Sequence, residues 1–465
     1  MRDYDDGTRD VPAPIPAFPR SGEGDPQRRV LMNRTSSKPW RNWSGAVSFT
    51  PQSIAAPTST RELQSLVRAV GARGGQLRVA GSGHSFTPLV QTQDTLVTLD
   101  KMSGIEHIDG HVARIKAGTS LKPLGLELAR RGFGMTNLGD INKQALAGAV
   151  STGTHGTGVA LGSISTQVRG MDLVLASGEA IHCSATENAE IFDAARVSVG
   201  ALGVIAALDV ELQPAYRLKL IKRAMDLDDC LAQAPDLARL YRHFEFYWIP
   251  HTRQTLVKLM DWTAEPESAR GLTTASELIL ENGAFGVISR LARFNPRWAP
   301  GLARFMAQVT KSDQSTMVAD CHRAFSTARL VRFQEMEYEL PAERGPDALR
   351  ELAEHIERRH VLVHFPVEYR YVAADDIWLS PFYQRDSVAI SVHQYVGMAH
   401  QEYFAAAEAI FRNHGGRPHW GKMHSLAAPE LAGLYPRWDD FQRVRRQLDP
   451  KGMFSNALLR RWFGD

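Results

Sequence analysis

A histidine set in a run of small residues, Gly81-Ser82-Gly83-His84-Ser85-Phe86, constrains this 465-residue chain more than any other feature. The run follows directly on Leu77-Arg78-Val79-Ala80, which reads as a strand. A loop of small residues bares its backbone N–H groups, and bared N–H groups hold anions. An imidazole at the centre of such a loop is also a nucleophile. The segment therefore predicts an anionic cofactor that is both cradled and bonded.

With 43% hydrophobic residues the chain can bury a large core and is expected to form more than one domain. Its 54 basic and 51 acidic residues nearly balance, which implies no broad basic surface for nucleic acid and makes small molecules the expected partners. Cys183, Cys230 and Cys321 are odd in number and far apart, with no C-x-x-C pair to suggest a metal, redox or disulfide framework. A reducing cytoplasm fits that usage. No apolar run approaches the roughly 18 to 20 residues that span a bilayer. The acidic start Met1-Arg2-Asp3-Tyr4-Asp5-Asp6 has no apolar segment behind it, so neither secretion by a leader nor a membrane span is expected.

Residues 1–39, with Pro12, Pro14, Pro16 and Pro19 and no apolar periodicity, read as a flexible tail; Met32 is an alternative start. From Trp40 the signals sharpen. Ser59-x-x-Glu62 forms a capping box ahead of Leu63, Leu66, Val67 and Val70 at helical spacing, and Gly74-Gly75 stops that helix. Strands are expected at Thr95 to Leu99 and Val112 to Ala117, a helix at Leu121 to Arg131, and a hairpin from Leu173 to His182 turning at Ser177-Gly178. The character changes near Pro214. Strands at Phe244 to Trp248, Phe333 to Leu340, Val367 to Val372 and Val388 to Tyr395 alternate with amphipathic helices, one of them near Asp347 to Arg359. The fold class is α+β, with an antiparallel sheet in the second half.

A second small-residue segment, Ser151-Thr152-Gly153-Thr154-His155-Gly156-Thr157-Gly158, offers close backbone approach and hydroxyl donors suited to a pyrophosphate. Neither segment matches G-x-G-x-x-G, and no G-x-x-x-x-G-K-[ST] exists, so the Rossmann and P-loop explanations are disfavoured. In Val367-Glu368-Tyr369-Arg370-Tyr371 the period of two puts Glu368 and Arg370 on one face, roughly 7 Å apart. They can grip one small polyhydroxylated molecule. His393, in Ser391-Val392-His393-Gln394-Tyr395, shares a face with Ser391 and Tyr395 and is a candidate for lining the pocket. Glu335-Met336-Glu337-Tyr338-Glu339 reads as a strand with a solvated acidic face, because Met336, Tyr338 and Leu340 already supply a buried side.

Taken together, the GSGHSF loop, Gly139-Asp140, Ala147-Gly148-Ala149 leading into STGTHGTG, Gly200-Ala201-Leu202-Gly203-Val204-Ile205 and His419-Trp420-Gly421-Lys422 resemble the vanillyl-alcohol-oxidase superfamily of FAD-linked oxidoreductases. Within it the chain is most similar to the aldonolactone oxidoreductases: gulonolactone, galactonolactone and arabinonolactone oxidases or dehydrogenases. The resemblance runs from Trp40 to the carboxyl terminus, in order. It implies a two-domain flavoprotein with a bipartite, non-Rossmann FAD-binding domain over 40–215, an antiparallel-sheet substrate (cap) domain over 216–415, and a segment over 416–465 that returns to the flavin.

The resemblance implies that His84 is joined covalently to the 8α carbon of FAD. Gly81, Ser82, Gly83, Ser85, Phe86, Gly139, Asp140, Gly148, Ser151, Gly153, Thr154, His155, Gly156, Gly158, Val204 and Ile205 would then contribute to cofactor binding. His155 is expected to be a structural or hydrogen-bonding residue, and the absence of cysteine between Ala147 and Gly158 implies a single tether. Glu368 and Arg370 match the Glu-x-Arg pair placed over the flavin, where Arg370 would stabilise developing negative charge and Glu368 orient or deprotonate a hydroxyl. Lys422 would approach the N1 and C2 carbonyl edge of the ring. His393, Tyr395 and His419 are candidate pocket residues, and no metal is implied.

The activity implied is oxidation of a sugar-acid 1,4-lactone at C2, by hydride transfer to flavin N5, towards an ascorbate-type product. Electrons then pass to O₂ or to another acceptor. An alditol oxidase acting on polyols such as xylitol shares His84, the Glu-x-Arg pair and the HWGK segment. A flavin-binding protein without turnover is the reading of a different class, and the joint presence of Glu368, Arg370 and Lys422 argues against it.

Overall fold

A computed structural model describes residues 38–268, 283–311, 314–325 and 331–465. The tail read over 1–39, Met32 included, thus falls outside the described residues except for its last two positions.

After a short antiparallel pairing of Trp40–Arg41 with Ser48–Phe49, the chain builds a small parallel sheet. Its strands β1 (Ser53–Ala55), β2 (Leu77–Ala80) and β3 (Thr95–Thr98) lie in the order β1-β3-β2. Helix α1 (Thr60–Ala72) connects β1 to β2 and buries Leu63, Leu66, Val67 and Val70. Ser59 accepts from the Glu62 N–H at 3.3 Å, while Glu62 Oε2 accepts from the Thr58 N–H at 2.9 Å. The capping signal therefore works, with its return bond one residue upstream of the cap. The His84 loop leaves the carboxyl end of β2, the end at which parallel sheets place ligands.

A six-stranded antiparallel sheet follows, built from β4 (Ile105–Asp109), β5 (Val112–Lys116), β6 (Phe133–Met135), β7 (Val168–Val174), β8 (Ala180–Ser184) and β9 (Val204–Pro214). Strands β7 and β8 form the expected hairpin, with Gly178 at φ +79° in its turn. Two further helices, α2 (Leu121–Arg130) and α3 (Leu146–Ser151), belong to this part of the chain. A single apolar core joins these elements to Trp420, Phe441, Phe454 and Trp462 from the carboxyl-terminal segment.

The change of character near Pro214 coincides with the start of an eight-stranded antiparallel sheet. Its strands are β10 (Arg217–Asp226), β11 (His243–Trp248), β12 (Gln254–Thr263), β13 (Gln314–Asp320), β14 (Phe333–Pro341), β15 (Val367–Val372), β16 (Ser387–Tyr395) and β17 (Arg417–Pro418). They lie in the order β13-β10-β12-β11-β15-β16-β14-β17.

Register makes the two faces of this sheet unlike. On one face Phe244, Phe246, Tyr369, Val388, Ile390, Met336 and Tyr338 enter a second apolar core, closed by α4 (Leu227–Leu240), α5 (Gly345–Arg358) and α6 (Gln401–Asn413). On the other face Glu245 pairs with Arg370, Tyr247 with Glu368, Glu368 with Ser391, and Glu335 with His393 across adjacent strands. Alternation along each strand turns all of these side chains the same way.

That second face is not solvated. Glu335, Glu337 and Glu339 are 3%, 2% and 0% exposed, which corrects the reading of their strand as a solvated acidic edge. Period-two alternation identifies which residues share a face. What covers that face depends on long-range packing, and here it is the His84 loop, His155 and the segment around His419-Lys422.

Candidate active site

The His84 loop is held from both sides. Trp43 donates its backbone N–H to Gly83 O at 2.8 Å, Asn42 Nδ2 donates to Ser85 O at 3.0 Å, and Phe86 donates to Gly421 O at 2.8 Å. Gly83 adopts φ +72°, and a Cβ there would meet Trp40 Cζ2 at 3.1 Å, so glycine is required on both counts. Among the described residues, the backbone N–H groups of Ser82, Gly83, His84 and Ser85 find no acceptor. Four successive bare N–H groups make a concave anion cradle.

The loop opens onto a cleft of about 1040 Å³ lined by Gly81, Ser82, Gly83, His84, Ser85, Gly148, Ser151, Val204 and Ile205 from the expected set. Gln144, Thr152, Val199, Gly200 and Gly203 also line it; Thr152 comes from the second small-residue segment, whereas no motif singled out Gln144 or Val199. His84, Ser85, Gln144 and Thr152 are shared with a second, polar cleft of about 640 Å³. That cleft gathers Phe86, Gly139, Asp140, Thr154, His155, Glu368, Arg370, His393, His419 and Lys422, together with the unexpected Glu335 and Glu337.

Gly153, Gly156, Gly158 and Tyr395 line neither cleft. Gly156 instead lets the chain pass Leu138, whose carbonyl oxygen would lie 2.3 Å from an added Cβ. Gly158 sits at φ +140° with the Arg242 carbonyl 2.6 Å from its Cβ position, and Gly153 turns the chain at φ +71°. Their role is to shape the loop. Tyr395, at the end of β16, packs instead on a small cluster with Ala292 and Met398.

His84 stacks on Trp43, with ring centroids 5.7 Å apart, and its Nδ1 is buried without a hydrogen-bond partner. Burial, then the nearby Lys422 and Lys143, push its pKa down to about 4. The imidazole is thus neutral at pH 7, the form in which a ring nitrogen attacks carbon. Leaving such an atom unpaired costs about 1–3 kcal/mol unless a ligand uses it. The orphaned nitrogen, the bare N–H cradle and the adjoining cleft all fit FAD.

The polar cleft is a network of opposed charges. Arg370 Nη2 pairs with Glu368 Oε1, and Arg370 Nε lies 3.5 Å from Glu245 Oε2 without hydrogen-bond geometry. Lys258 Nζ is 2.7 Å from Glu245 Oε1, and the Tyr247 hydroxyl lies 2.8 Å from Asp140 Oδ2 and 2.5 Å from Glu368 Oε1. Burial lowers the pKa of Arg370, but Glu368, Asp140 and Glu245 outweigh it and raise the pKa well above the ordinary value. Arg370 therefore remains cationic.

A parallel arrangement surrounds Lys422, whose Nζ is 2.5 Å from Glu335 Oε1 and 3.5 Å from Glu337 Oε2. Burial pushes the Glu335 carboxyl up, yet Lys422 and then His393 bring it down to about 2. Burial acts on Glu337 in the same direction, and Lys422 with the His155 hydrogen bond carries it well below the ordinary value. Glu339, without a hydrogen-bond partner, is pushed well above the ordinary value by burial and by Glu337.

The histidines are oriented by their second nitrogens. His155 Nδ1 meets Gly156 O at 2.9 Å and its Nε2 meets Glu337 Oε1 at 2.6 Å, the hydrogen-bonding role expected of it. His419 Nδ1 accepts from the Gly421 N–H at 2.9 Å, and burial pushes its pKa down to about 3, so its proton is on Nε2. His393 Nδ1 lies 3.0 Å from Pro366 O, and its Nε2 faces Glu335 at 3.4 Å.

The sequence matches the D-arabinono-1,4-lactone oxidase family over residues 208–462 and the FAD binding domain family over residues 51–184. It is 36% identical to an L-gulono-1,4-lactone dehydrogenase of Mycobacterium tuberculosis over 428 residues, covering 91% of this chain and 99% of that protein. It is 32% identical to the L-gulonolactone oxidase of Scyliorhinus torazame, covering 91% and 98%, and 28% identical to an alditol oxidase of Streptomyces, covering 90% and 97%. In fold it is similar to cholesterol oxidase from Brevibacterium sterolicum, with a TM-score of 0.81 at 16% identity over 97% of this chain and 100% of that one. The chain accordingly belongs to the D-arabinono-1,4-lactone oxidase family of FAD-linked oxidoreductases.

Proposed function

We propose that this chain oxidises the C2 hydroxyl of a sugar-acid 1,4-lactone, with FAD held in the His84 cradle and tethered through the His84 imidazole. The observation that carries this reading is the meeting of Glu368, Arg370 and Lys422 in one buried cleft that opens at His84. Curated relatives covering the whole fold are named for gulono- and arabinono-lactones. FAD held by these residues would supply the hydride acceptor and the route for electrons to O₂ or another acceptor.

The protein's own groups do the rest. Arg370 donates hydrogen bonds to the lactone oxygens and stabilises negative charge as the hydroxyl is oxidised. Glu368, held by Arg370 and Tyr247, orients the C2 hydroxyl or takes its proton. Lys422 places a fixed cation in the cleft, balanced by Glu335 and Glu337 so that it stays protonated. Burial of the cleft keeps water from competing for these donors.

The boundaries 40–215, 216–415 and 416–465 belong to the same reading. The carboxyl-terminal segment shares a core with the first part, while most of 216–415 has its own. Among the described residues no helix is long and apolar enough to cross a membrane, and the three cysteines are free and buried. That usage supports a reducing cytoplasm.

The test is turnover of a panel of gulono-, galactono- and arabinono-1,4-lactones beside xylitol and sorbitol, with a dye as electron acceptor. Products are identified by mass and by enediol absorbance. A lactone oxidised at C2 is expected. Turnover of polyols alone would assign the site to alditol oxidation, and turnover of none would reduce it to cofactor binding.

A further inference from the structure

A helical hairpin beside the large sheet carries an outer face that no described residue covers. It consists of a helix over Gly283–Phe294, a short turn of 3-10 helix over Pro296–Trp298 and a second helix over Ala299–Thr310. Phe285, Ile288 and Ala292, then Ala303, Met306 and Ala307, face inward and satisfy its packing. The opposite side repeats apolar residues at helical spacing: Val287, Leu291 and Phe294 on the first helix, Phe305 and Val309 on the second. Trp298 lies between them, its ring 6.1 Å from that of Phe294. Phe294 is 82% exposed, Phe305 57% and Trp298 47%.

Between residues 283 and 311 the sequence has five basic residues, Arg290, Arg293, Arg297, Arg304 and Lys311, and no acidic one. All five are exposed, and among the described residues none forms an ion pair. The chain as a whole is nearly balanced, at 54 basic to 51 acidic residues, so this excess is local. Exposed aromatic and aliphatic side chains interleaved with unpaired arginines are what an interfacial helix presents to lipid: apolar groups enter the acyl boundary while the arginines meet anionic headgroups.

We propose that this hairpin docks the protein on an anionic bilayer surface. Charge complementarity selects that occupant over a second copy of the chain, because an isologous contact would press five cations against five. Val287, Leu291 and Val309 likewise have no counterpart on a phosphate backbone, which disfavours nucleic acid. The hairpin lies apart from the proposed oxidation site but connects to it. Phe285 packs on Phe365, which in turn lies against Phe333 and His393 at the cleft.

Flotation of the full flavin-loaded chain with phosphatidylcholine vesicles, with and without phosphatidylglycerol, tests the proposal. Binding is expected to the anionic vesicles and to weaken as salt is raised. Removing Arg290, Arg297 and Arg304 together by substitution with Ala is expected to weaken partitioning about 100-fold, at about fivefold per cation. Phe294→Ser with Trp298→Ser and Phe305→Ser is expected to abolish binding while leaving flavin content and the unfolding midpoint unchanged, which separates loss of docking from loss of fold. Absence of wild-type flotation, or equal flotation of either variant, would overturn the proposal. So would concentration-dependent dimerisation abolished by the serine variant without any lipid binding, which would assign the face to a second copy.

Discussion

Replacing Lys422 with Met removes one cation from a place where two buried carboxylates depend on it. Glu335 sits at about 2, against an ordinary 4.5, because Lys422 and His393 overcome the cost of burying it. A carboxyl whose folded pKa is depressed contributes stability that is present above the unfolded value and is lost as pH falls through the folded one. Here the window runs from about 4.5 down to about 2, and the displacement corresponds to about 3 kcal/mol. Breaking one side of a buried ion pair costs about 3–5 kcal/mol by independent reasoning. We therefore expect Lys422→Met to lower the unfolding free energy of the apo-protein by about 3 to 4 kcal/mol at pH 7.

The deficit should shrink as pH falls, first because burial makes the abandoned carboxyl protonate more readily once Lys422 is gone, and then, from about 4.5 down to about 2, because the wild type loses its own Glu335 contribution. Glu335→Gln in the same chain should recover about 2 kcal/mol of it, since a neutral amide needs no counter-charge. Urea denaturation followed by circular dichroism gives the full double-mutant cycle. Additive effects of the two substitutions would refute the pairing. Flavin reduction separates the second role. If Lys422 also acts on the reacting groups, the single substitution slows reduction by about 10² or more and the double substitution stays slow. Recovery of the rate in the double variant would leave Lys422 as a counter-ion to Glu335 alone.

Other consequences follow from the same geometry. Arg370→Ala should slow anaerobic flavin reduction about 10²-fold or more, the scale of losing one charge-stabilising donor; an unchanged rate removes Arg370 from the chemistry. Acid-precipitated wild-type protein should keep yellow, fluorescent flavin, whereas His84→Ala should release it to the supernatant. Burial, with Lys422 and Lys143, depresses the pKa of His84 from 6.5 to about 4, so the folded apo-protein keeps a neutral imidazole through that window while the unfolded chain takes up a proton. Covalent incorporation of FAD should therefore be flat from neutral pH down to about 5 and decline near 4. Apo-protein stability attributable to His84 should be complete above 6.5 and fall as acid is added. An incorporation rate that titrates near 6.5 would contradict the burial of His84.

Much of the site was legible because its residues sit where local rules act. The small residues before His84 are those a bare-N–H loop needs, and the Glu368-Tyr369-Arg370 alternation places both charges on one side of a strand. Several element boundaries also follow from local signals, as with the Ser59 cap and the turn at Gly178. Glu335 and Glu337 escaped because their strand alternates perfectly well for a solvated edge. Only the arrival of Lys422, His155 and His393 from distant segments makes that face an interior. Gly153, Gly156 and Gly158 answer to a different demand. Gly156 and Gly158 allow the close passage of the Leu138 and Arg242 backbone, and Gly153 takes φ +71°, requirements that a run of glycines does not distinguish from those of a ligand. Gln144 and Val199 reach the cleft through tertiary placement alone and carry no local signal.

The central claim is that the cleft beside His84 oxidises a lactone with electrons delivered to FAD. It is tested most directly by mixing the flavin-loaded protein with L-gulono-1,4-lactone, D-arabinono-1,4-lactone or xylitol under strict exclusion of oxygen and following the flavin absorbance. Rapid bleaching by a lactone, much faster than by the polyol and lost in Arg370→Ala, is the expected result. Flavin that stays oxidised with every lactone, or that bleaches only with the polyol, contradicts it.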